Sequence, residues 1–488
     1  MAQKQTPGVY VVEKSTLPPS VAEVATAIPV FIGYTEKHED KDENSLQFTP
    51  VKIKNMAEYQ TAFGGKFAED FVIKVPAAGA AYVTEYSDIV MTDGEMDMDK
   101  SPKVPALASY MMAQSVEHFF ANGGGLCYVV SVGMHGATKA KADFDKALKA
   151  VAKVDEITLI CMPDATNLPS VSDFYGLQNT AIDQCRKLQD RFTIIDVLER
   201  SNETLSSASI AKDAEIMRDS VVGDLKYAGA YYPNLITQYA RHYNVDSVKV
   251  IMEAAGKTLT LRELGGIEGE GFTLAESDID TATYNLALQL LNKNSLTLPP
   301  SAAVAGAMAK TDKERGVWKA PANVALLGVN APSRSIRHED QQSLNVHADT
   351  GKSINAIRNF KGKGNLIWGA RTLLGNDNEW RYVSVRRFFN MVEESIQKST
   401  HFAVFEPNTP FTWLKIKTMI ESYLEGLWRQ GALFGETPDQ AFFVNVGLGQ
   451  TMTEDDINNG IMNIEIGMAA VRPAEFIILT FSHKSLEG

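Results

Sequence analysis

A chain of 488 residues with 44% hydrophobic and 22% charged content has the make-up of an ordinary globular protein, long enough for two or more cores. Its formal net charge of -13 argues against free nucleic acid as a main partner. No apolar run approaches the ~20 residues of a membrane span, and three cysteines without a CxxC pair (Cys127, Cys161, Cys185) predict buried thiols in a reducing compartment.

The charge is uneven along the chain. Residues 301–400 carry 15 Lys+Arg against 9 Asp+Glu, and residues 401–488 carry 5 against 11, so regions of opposite sign could dock between copies. The first thirty residues lack a basic segment followed by a long apolar one, and no secretory signal is expected.

In chain order, residues 1–25 form an extended lead marked by Pro7, Pro18 and Pro19, with a strand-like run from Gly8 to Glu13. Residues 27–34 predict a buried strand, 36–44 a solvated charged loop, and 51–100 a β-rich insertion. Helices are expected over 105–122, 138–154 and 181–191, with apolar strands over 126–132, 157–162 and 192–197. Pro105 suits a first helical turn and Gly123 a stop. Helices alternating with short apolar strands predict an α/β core with parallel strands. Residues 245–271 are Gly-rich and read as irregular. Residues 280–294 and 382–399 read as helices, and 402–405 as a short strand.

The clearest helix spans 409–431, with Thr409 as N-cap, Pro410 in the first turn and Gly431 as the stop. Ile416, Met419, Ile420, Tyr423, Leu424, Leu427 and Trp428 form one apolar stripe at helical spacing. The last strand-like run, 472–483, crowds seven apolar side chains into 474–481, as in a strand buried on both faces. Two such runs near the two ends predict arms given to neighbouring subunits of a large assembly.

Chemical motifs are weak. Gly351-Lys352-Ser353 resembles the end of a phosphate loop, but that loop needs glycine at position 346, where Val346 stands. Gly123-Gly124-Gly125 precedes a strand, whereas a dinucleotide fingerprint follows one. His338-Glu339 lacks a second histidine at 342, and Asp97-Met98-Asp99 lacks the glycine and glutamate of a calcium loop. There is no nucleophile elbow. No catalytic residue, metal site or cofactor is assigned, and no enzymatic activity is expected.

The second half carries long motifs in a fixed order. Pro299-Pro300-Ser301 runs through Val304-Ala305-Gly306 into Arg315-Gly316-Val317-Trp318-Lys319-Ala320-Pro321-Ala322-Asn323. Trp368-Gly369-Ala370-Arg371-Thr372-Leu373, Trp380 to Arg387, Ala403 to Asn408, Leu427 to Gly435 and Val471 to Phe476 follow. Upstream, Pro7-Gly8-Val9-Tyr10 and Phe119 to Gly124 also fit. Together they resemble the contractile tail sheath family of phage tails, R-type pyocins, type VI secretion and extracellular injection systems. The resemblance is continuous over 298–481 and patchy before it.

The resemblance implies a multi-domain α/β fold. Its parts would be an N-terminal arm (1–25), an N-terminal β-rich region (26–104), a middle α/β outer domain (105–365; part of it subtilisin-like in the family), an inner core domain (366–470) and a C-terminal arm (471–488). It implies a structural subunit that polymerises as stacked hexameric rings around an inner tube and contracts to drive the tube through a target envelope. Expected partners are further copies of itself, the tube protein, and baseplate and terminal cap proteins, with no nucleic acid and no membrane insertion. Assembly would occur in the bacterial cytoplasm, and the subunit would be a component of a phage-tail-like particle that can be released extracellularly. Val9, Tyr10, Val11 and Val12, and Phe476, Ile477, Ile478, Leu479 and Thr480, are the expected arm strands. Lys415, Lys417 and Arg429 are candidate tube contacts. Arg371, Arg386 and Arg387 are candidates for salt bridges, and Trp318, Trp368, Trp380 and Trp428 for packing. The alternatives are a hydrolase on the middle region and another tube or baseplate component of the same machine.

Overall fold

A computed structural model describes residues 20–40, 42–75, 90–91, 107–199, 207–252, 256–268 and 278–478. Contacts divide the chain into two units, Ala25–Asn390 with Arg472–Gly488, and Met1–Val24 with Met391–Val471.

The larger unit is built on a nine-stranded sheet. Across it lie Val324–Ala325, Gly364–Ile367, Ile354–Phe360, Ala228–Tyr232, Phe192–Asp196, Leu159–Cys161, Pro29–Thr35, Cys127–Met134 and Val51–Ile53. The six strands from Ile354–Phe360 to Cys127–Met134 are parallel, and antiparallel strands close both edges. Strand Pro29–Thr35 is buried at every position because helices cover both faces, which is why its sequence is apolar throughout instead of alternating.

Alternate residues feed two cores. Val30, Ile32, Val130, Ile160 and Ile195 pack with Phe144, Leu148, Phe174 and Ile182 of helices Lys141–Val151 and Val171–Leu188. Phe31, Val129, Cys161 and Ile194 pack with Val116 and Phe119 of helix Met112–Ala121 and with Ala303 and Met308 of helix Ser301–Arg315. The two helices on that second face approach closely. A Cβ on Gly306 would meet the Phe119 carbonyl oxygen at 2.6 Å, so the small-residue run of helix Ser301–Arg315 is a packing requirement. All three cysteines are buried and free.

The nine-stranded sheet takes strands from both sides of positions 104/105 and 365/366. Several local expectations are corrected. Within residues 245–271, read as irregular, Lys249–Met252 and Lys257–Thr260 form an antiparallel ladder, and Thr260 caps helix Leu261–Gly265 with a capping box. Lys249–Met252 also pairs with Phe71–Val75, which joins the early β-rich segment to this hairpin in a four-stranded sheet. The helix expected from residue 105 begins at Met112, while Gly123 follows it with φ 98° as a stop. The helix expected over 181–191 begins ten residues sooner, as Val171–Leu188, capped by the Ser170 hydroxyl accepting from the Asp173 N–H. Residues 402–405 are no strand: His401–Ala403 is a 3-10 turn and Phe405 lies at φ 70°.

The smaller unit contains helix Pro410–Arg429, residues 391–399 of helix Val383–Ser399, and a two-stranded antiparallel sheet of Phe442–Asn445 with Glu465–Met468. Ile416, Met419, Ile420, Leu424 and Leu427 of the expected stripe are buried. Thr409 is the N-cap but its side chain makes no cap bond. The Asn408 side chain instead accepts from Trp413 Nε1 at 2.6 Å and donates to the Ile461 carbonyl at 3.0 Å. The chain enters this unit along its first helix, where the Val24 N–H donates to Ser395 Oγ at 3.0 Å.

Candidate functional site

The C-terminal ends of parallel strands are where α/β proteins usually place ligands and catalytic groups. Here that edge holds three buried acids. Asp164, beyond Leu159–Cys161, accepts from the Tyr34 N–H at 2.8 Å and the Met111 N–H at 2.6 Å. Its close approach requires glycine at position 33, where a Cβ would meet Asp164 Oδ2 at 2.6 Å. Asp196 ends strand Phe192–Asp196 and accepts from the Ser301 N–H at 2.7 Å. Each aspartate therefore satisfies an orphan donor at the start of a helix. Burial pushes Asp164 up to about 6 and Asp196 up to about 7, against the pull of these N–H groups.

A raised carboxylate binds its proton more tightly folded than unfolded, so its contribution to stability falls as pH rises through this window. Asp196→Asn, which keeps an acceptor oxygen, is expected to unfold at higher denaturant than the wild type at pH 8. The gap should be no more than about 4 kcal/mol, at about 1.4 kcal/mol per unit, and should shrink towards pH 4. A pH-independent gap would contradict this account.

The third acid, Glu199, belongs to a buried ionic network. Its carboxylate accepts from the Asn234 N–H at 2.5 Å, Ser333 Oγ at 2.6 Å and Arg334 Nε at 3.3 Å. Arg334 also bonds Asp213 at 3.2 Å and the Ser209 hydroxyl, and Tyr232 donates to Asp213 at 3.1 Å. Glu199, Asp213 and Arg334 are each no more than 2% exposed. Burial raises Glu199, while Ser333, Asn234 and Arg334 pull it back.

Elsewhere, Ser131 Oγ lies 3.4 Å from His38 Nδ1, but no carboxylate hydrogen-bonds that histidine among the described residues. Lys352 of the Gly-Lys-Ser stretch donates to the carbonyls of Arg218, in the last turn of helix Ser207–Ser220, and of Val221, just after it, so it caps a helix. The described residues contain no cluster of three or more His, Cys, Asp or Glu arranged to hold a metal. No helix among them is long and apolar enough to cross a membrane.

The exposed groups are of a different kind. Residues 472–478 form no regular element and make no backbone ladder with other described residues. Phe476, Ile477 and Ile478 are 71%, 77% and 87% exposed. The burial on both faces expected from composition is thus not supplied to these three side chains by the described residues. The segment is nevertheless rooted. Glu475 accepts from Arg371 Nε at 2.9 Å and Nη2 at 2.5 Å, from Asn345 at 3.1 Å and from Tyr382 at 3.3 Å. Burial opposes its ionisation, but Arg371 and Asn345 outweigh this and hold the carboxyl below the usual range. Arg371 is one of the expected salt-bridge formers, and only its partner goes unnamed in the sequence reading, although Glu475 stands in the quoted motifs. Val9, Tyr10, Val11, Val12, Leu479 and Thr480 lie outside the described residues.

On helix Pro410–Arg429, Lys417 lies 3.7 Å from Glu421 and Arg429 2.5 Å from Glu425, while Lys415 sits over the Phe402 ring at 4.5 Å. Phe405, Phe411 and Leu414 are exposed beside them. Arg387 pairs with Asp312 at 2.5 Å, but Arg386 bonds Asn390 and stacks on Trp380 at 4.3 Å. Trp318 and Trp380 pack edge-on against Phe388 and Phe389, half-buried.

Comparison with known proteins is consistent across the chain. The model of the phage tail sheath protein central domain matches residues 137–373, and that of the phage tail sheath C-terminal domain matches residues 375–484. The helical sheath of the anti-feeding prophage, solved in the contracted state, is 30% identical, with a TM-score of 0.62 over 99% of this chain and 100% of that one. The PVC sheath complex of an extracellular contractile injection system, also contracted, is 28% identical, with a TM-score of 0.62 over 99% of both chains. The tail sheath protein of Enterobacteria phage T4 is 28% identical over 140 residues, 28% of this chain and 20% of that protein. The chain spans only about a fifth of the length of the curated phage relatives it matches.

Proposed function

This chain belongs to the phage tail sheath family of contractile injection systems, and we propose that copies of it polymerise as stacked six-membered rings around an inner tube and contract to drive that tube through a target envelope. The observation that carries the reading is similarity along the whole length to a helical sheath at 30% identity. The neighbours solved with a baseplate support a baseplate partner. The tube and cap proteins are partners by the same reading. The subunit acts structurally and needs no cofactor: the polar groups at the sheet edge are already engaged in holding chain segments together, which weighs against the hydrolase alternative.

Strand exchange links the subunits. A two-stranded sheet is marginal alone and leaves unpaired edges that template further strands. Phe442–Asn445 with Glu465–Met468 is such a sheet. Val9 to Val12 of one neighbour and Phe476 to Thr480 of another add to it by β-augmentation. The smaller unit is then the inner core, and the larger unit carries the outer, subtilisin-like part. Lys415, Lys417 and Arg429, flanked by exposed Phe411 and Leu414, face the tube. Glu421 and Glu425, the local partners of Lys417 and Arg429, are partly exposed, and such pairs hold weakly, by about 0.3–0.5 kcal/mol, so they can be exchanged for tube carboxylates.

Contraction follows from two packings of the same subunit, with the extended lattice kinetically trapped and the strand links unbroken while the units move. Negative-stain electron microscopy of the concentrated protein, alone and with the tube protein co-expressed, is expected to give hollow striated tubes. Small particles alone in both preparations would contradict the reading.

A further inference from the structure

The larger unit carries a basic groove at the end of helix Ser301–Arg315. Lys310, Glu314, Arg315 and Lys319 line a cavity of about 300 Å³ together with the residues around Asn323. Lys310, Arg315 and Lys319, and Lys313 beside them, are exposed, and none forms an ion pair among the described residues. The helix dipole favours cations in its last turn and thereby accounts for Lys313 and Arg315. It does not account for Lys310, more than a turn from the end, or for Lys319, outside the helix. Asn323 holds a left-handed φ of 57° at the rim, with its N–H bonded to the Ile367 carbonyl at 2.8 Å, so the groove wall is fixed to the sheet.

The smaller unit has the opposite surplus. Its Met391–Val471 segment carries four Lys+Arg against eleven Asp+Glu, a net charge of -7. Three of the four cations are already committed to Glu394, Glu421 and Glu425 in i,i+4 pairs, and the fourth sits on Phe402. Glu454 and Asp455, in the first turn of helix Glu454–Asn458, are exposed and form no ion pair among the described residues. Cations that match them must come from outside this segment.

We propose that the basic groove of one copy receives the Glu454–Asp455 turn of a second copy. The proposal rests on the sheath reading and names one of its subunit contacts. Groove and turn are different patches, so each copy offers one of each, and where the second copy's groove takes the turn of a third copy the contact is heterologous and its repetition builds a polymer. Exposed charges at such a contact act mainly on encounter and register, and their effect is screened by salt.

A charge swap tests it. The variant Lys310→Glu/Arg315→Glu/Lys319→Glu and the variant Glu454→Lys/Asp455→Lys are each purified and shown by circular dichroism to melt as the wild type. Each alone is expected to pellet as tubes at least about tenfold less than wild type in low salt, because every subunit of a polymer repeats the loss. Mixed in equal amounts, they are expected to recover tubes in which the two copies alternate. Wild-type levels of tubes from the triple variant, or a mixture no better than either variant alone, would overturn the contact while leaving the sheath reading intact. Wild-type protein that forms no tubes under any condition tested would remove the sheath reading and this contact with it.

Discussion

Deletion of residues 1–15 is expected to abolish polymerisation while leaving a folded monomer, and deletion of residues 476–488 to do the same. The deleted stretches include the two arm strands and leave the nine-stranded sheet and both of its cores untouched. Each ladder hydrogen bond is worth roughly 0.5–1.5 kcal/mol net, so losing a five-residue strand removes several kcal/mol from a contact repeated at every subunit. Burial of Phe476, Ile477 and Ile478, largely exposed in the single chain, adds about 1.5–3 kcal/mol for each fully covered side chain. Light scattering and electron microscopy report the assembly, and circular dichroism reports the fold. Truncated protein that still forms tubes of normal width would contradict the arm assignment.

The largest effect on folding is expected from Arg334→Met. Arg334 pairs with both Glu199 and Asp213, each of which is no more than 1% exposed. Removing one partner of a buried ionic set typically costs about 3–5 kcal/mol, because the remaining charge is left unpaired out of water. Burial already raises Glu199, and without Arg334 it rises further. A raised carboxyl loses stability as pH increases, so the deficit should be larger at pH 8 than at pH 5. The triple variant Glu199→Gln/Asp213→Asn/Arg334→Met removes the charges together and should recover much of the loss. Denaturant unfolding measures both. A single-variant loss below about 1 kcal/mol, the range of surface pairs, would mean that the network does not hold the sheet edge together.

The sequence made the centre of the fold legible and left its margins obscure, for physical reasons. Strands such as Pro29–Thr35 and Phe192–Asp196 are covered on both faces, so their apolar runs identify them directly. Ala228–Tyr232 and Ile354–Phe360 are also in the sheet, but Ala-Gly-Ala and the polar Asn355, Arg358 and Asn359 give no such run. Asn355 is there to serve the backbone, donating to the Ala230 and Arg371 carbonyls at 3.1 and 2.8 Å. Helix Ser301–Arg315 is buried along most of its length, so it lacks the polar stripe that reveals a surface helix. Buried ionic partners leave no local trace: Glu199 and Arg334, or Arg371 and Glu475, lie more than a hundred residues apart in sequence. The apolar run at 472–483 predicts a paired strand without saying whose sheet covers it, and Phe476, Ile477 and Ile478 are exposed in the single chain.

The central claim is that the two terminal strands of one subunit are completed by others. Helical reconstruction of the assembled tubes by cryo-electron microscopy tests it most directly. The account predicts Phe476 to Thr480 hydrogen-bonded as a strand beside Phe442–Asn445 or Glu465–Met468 of a different subunit, with Val9 to Val12 of a further subunit in the same sheet. Terminal segments that fold back onto their own subunit, or that lie free of any sheet in an intact tube, would contradict it.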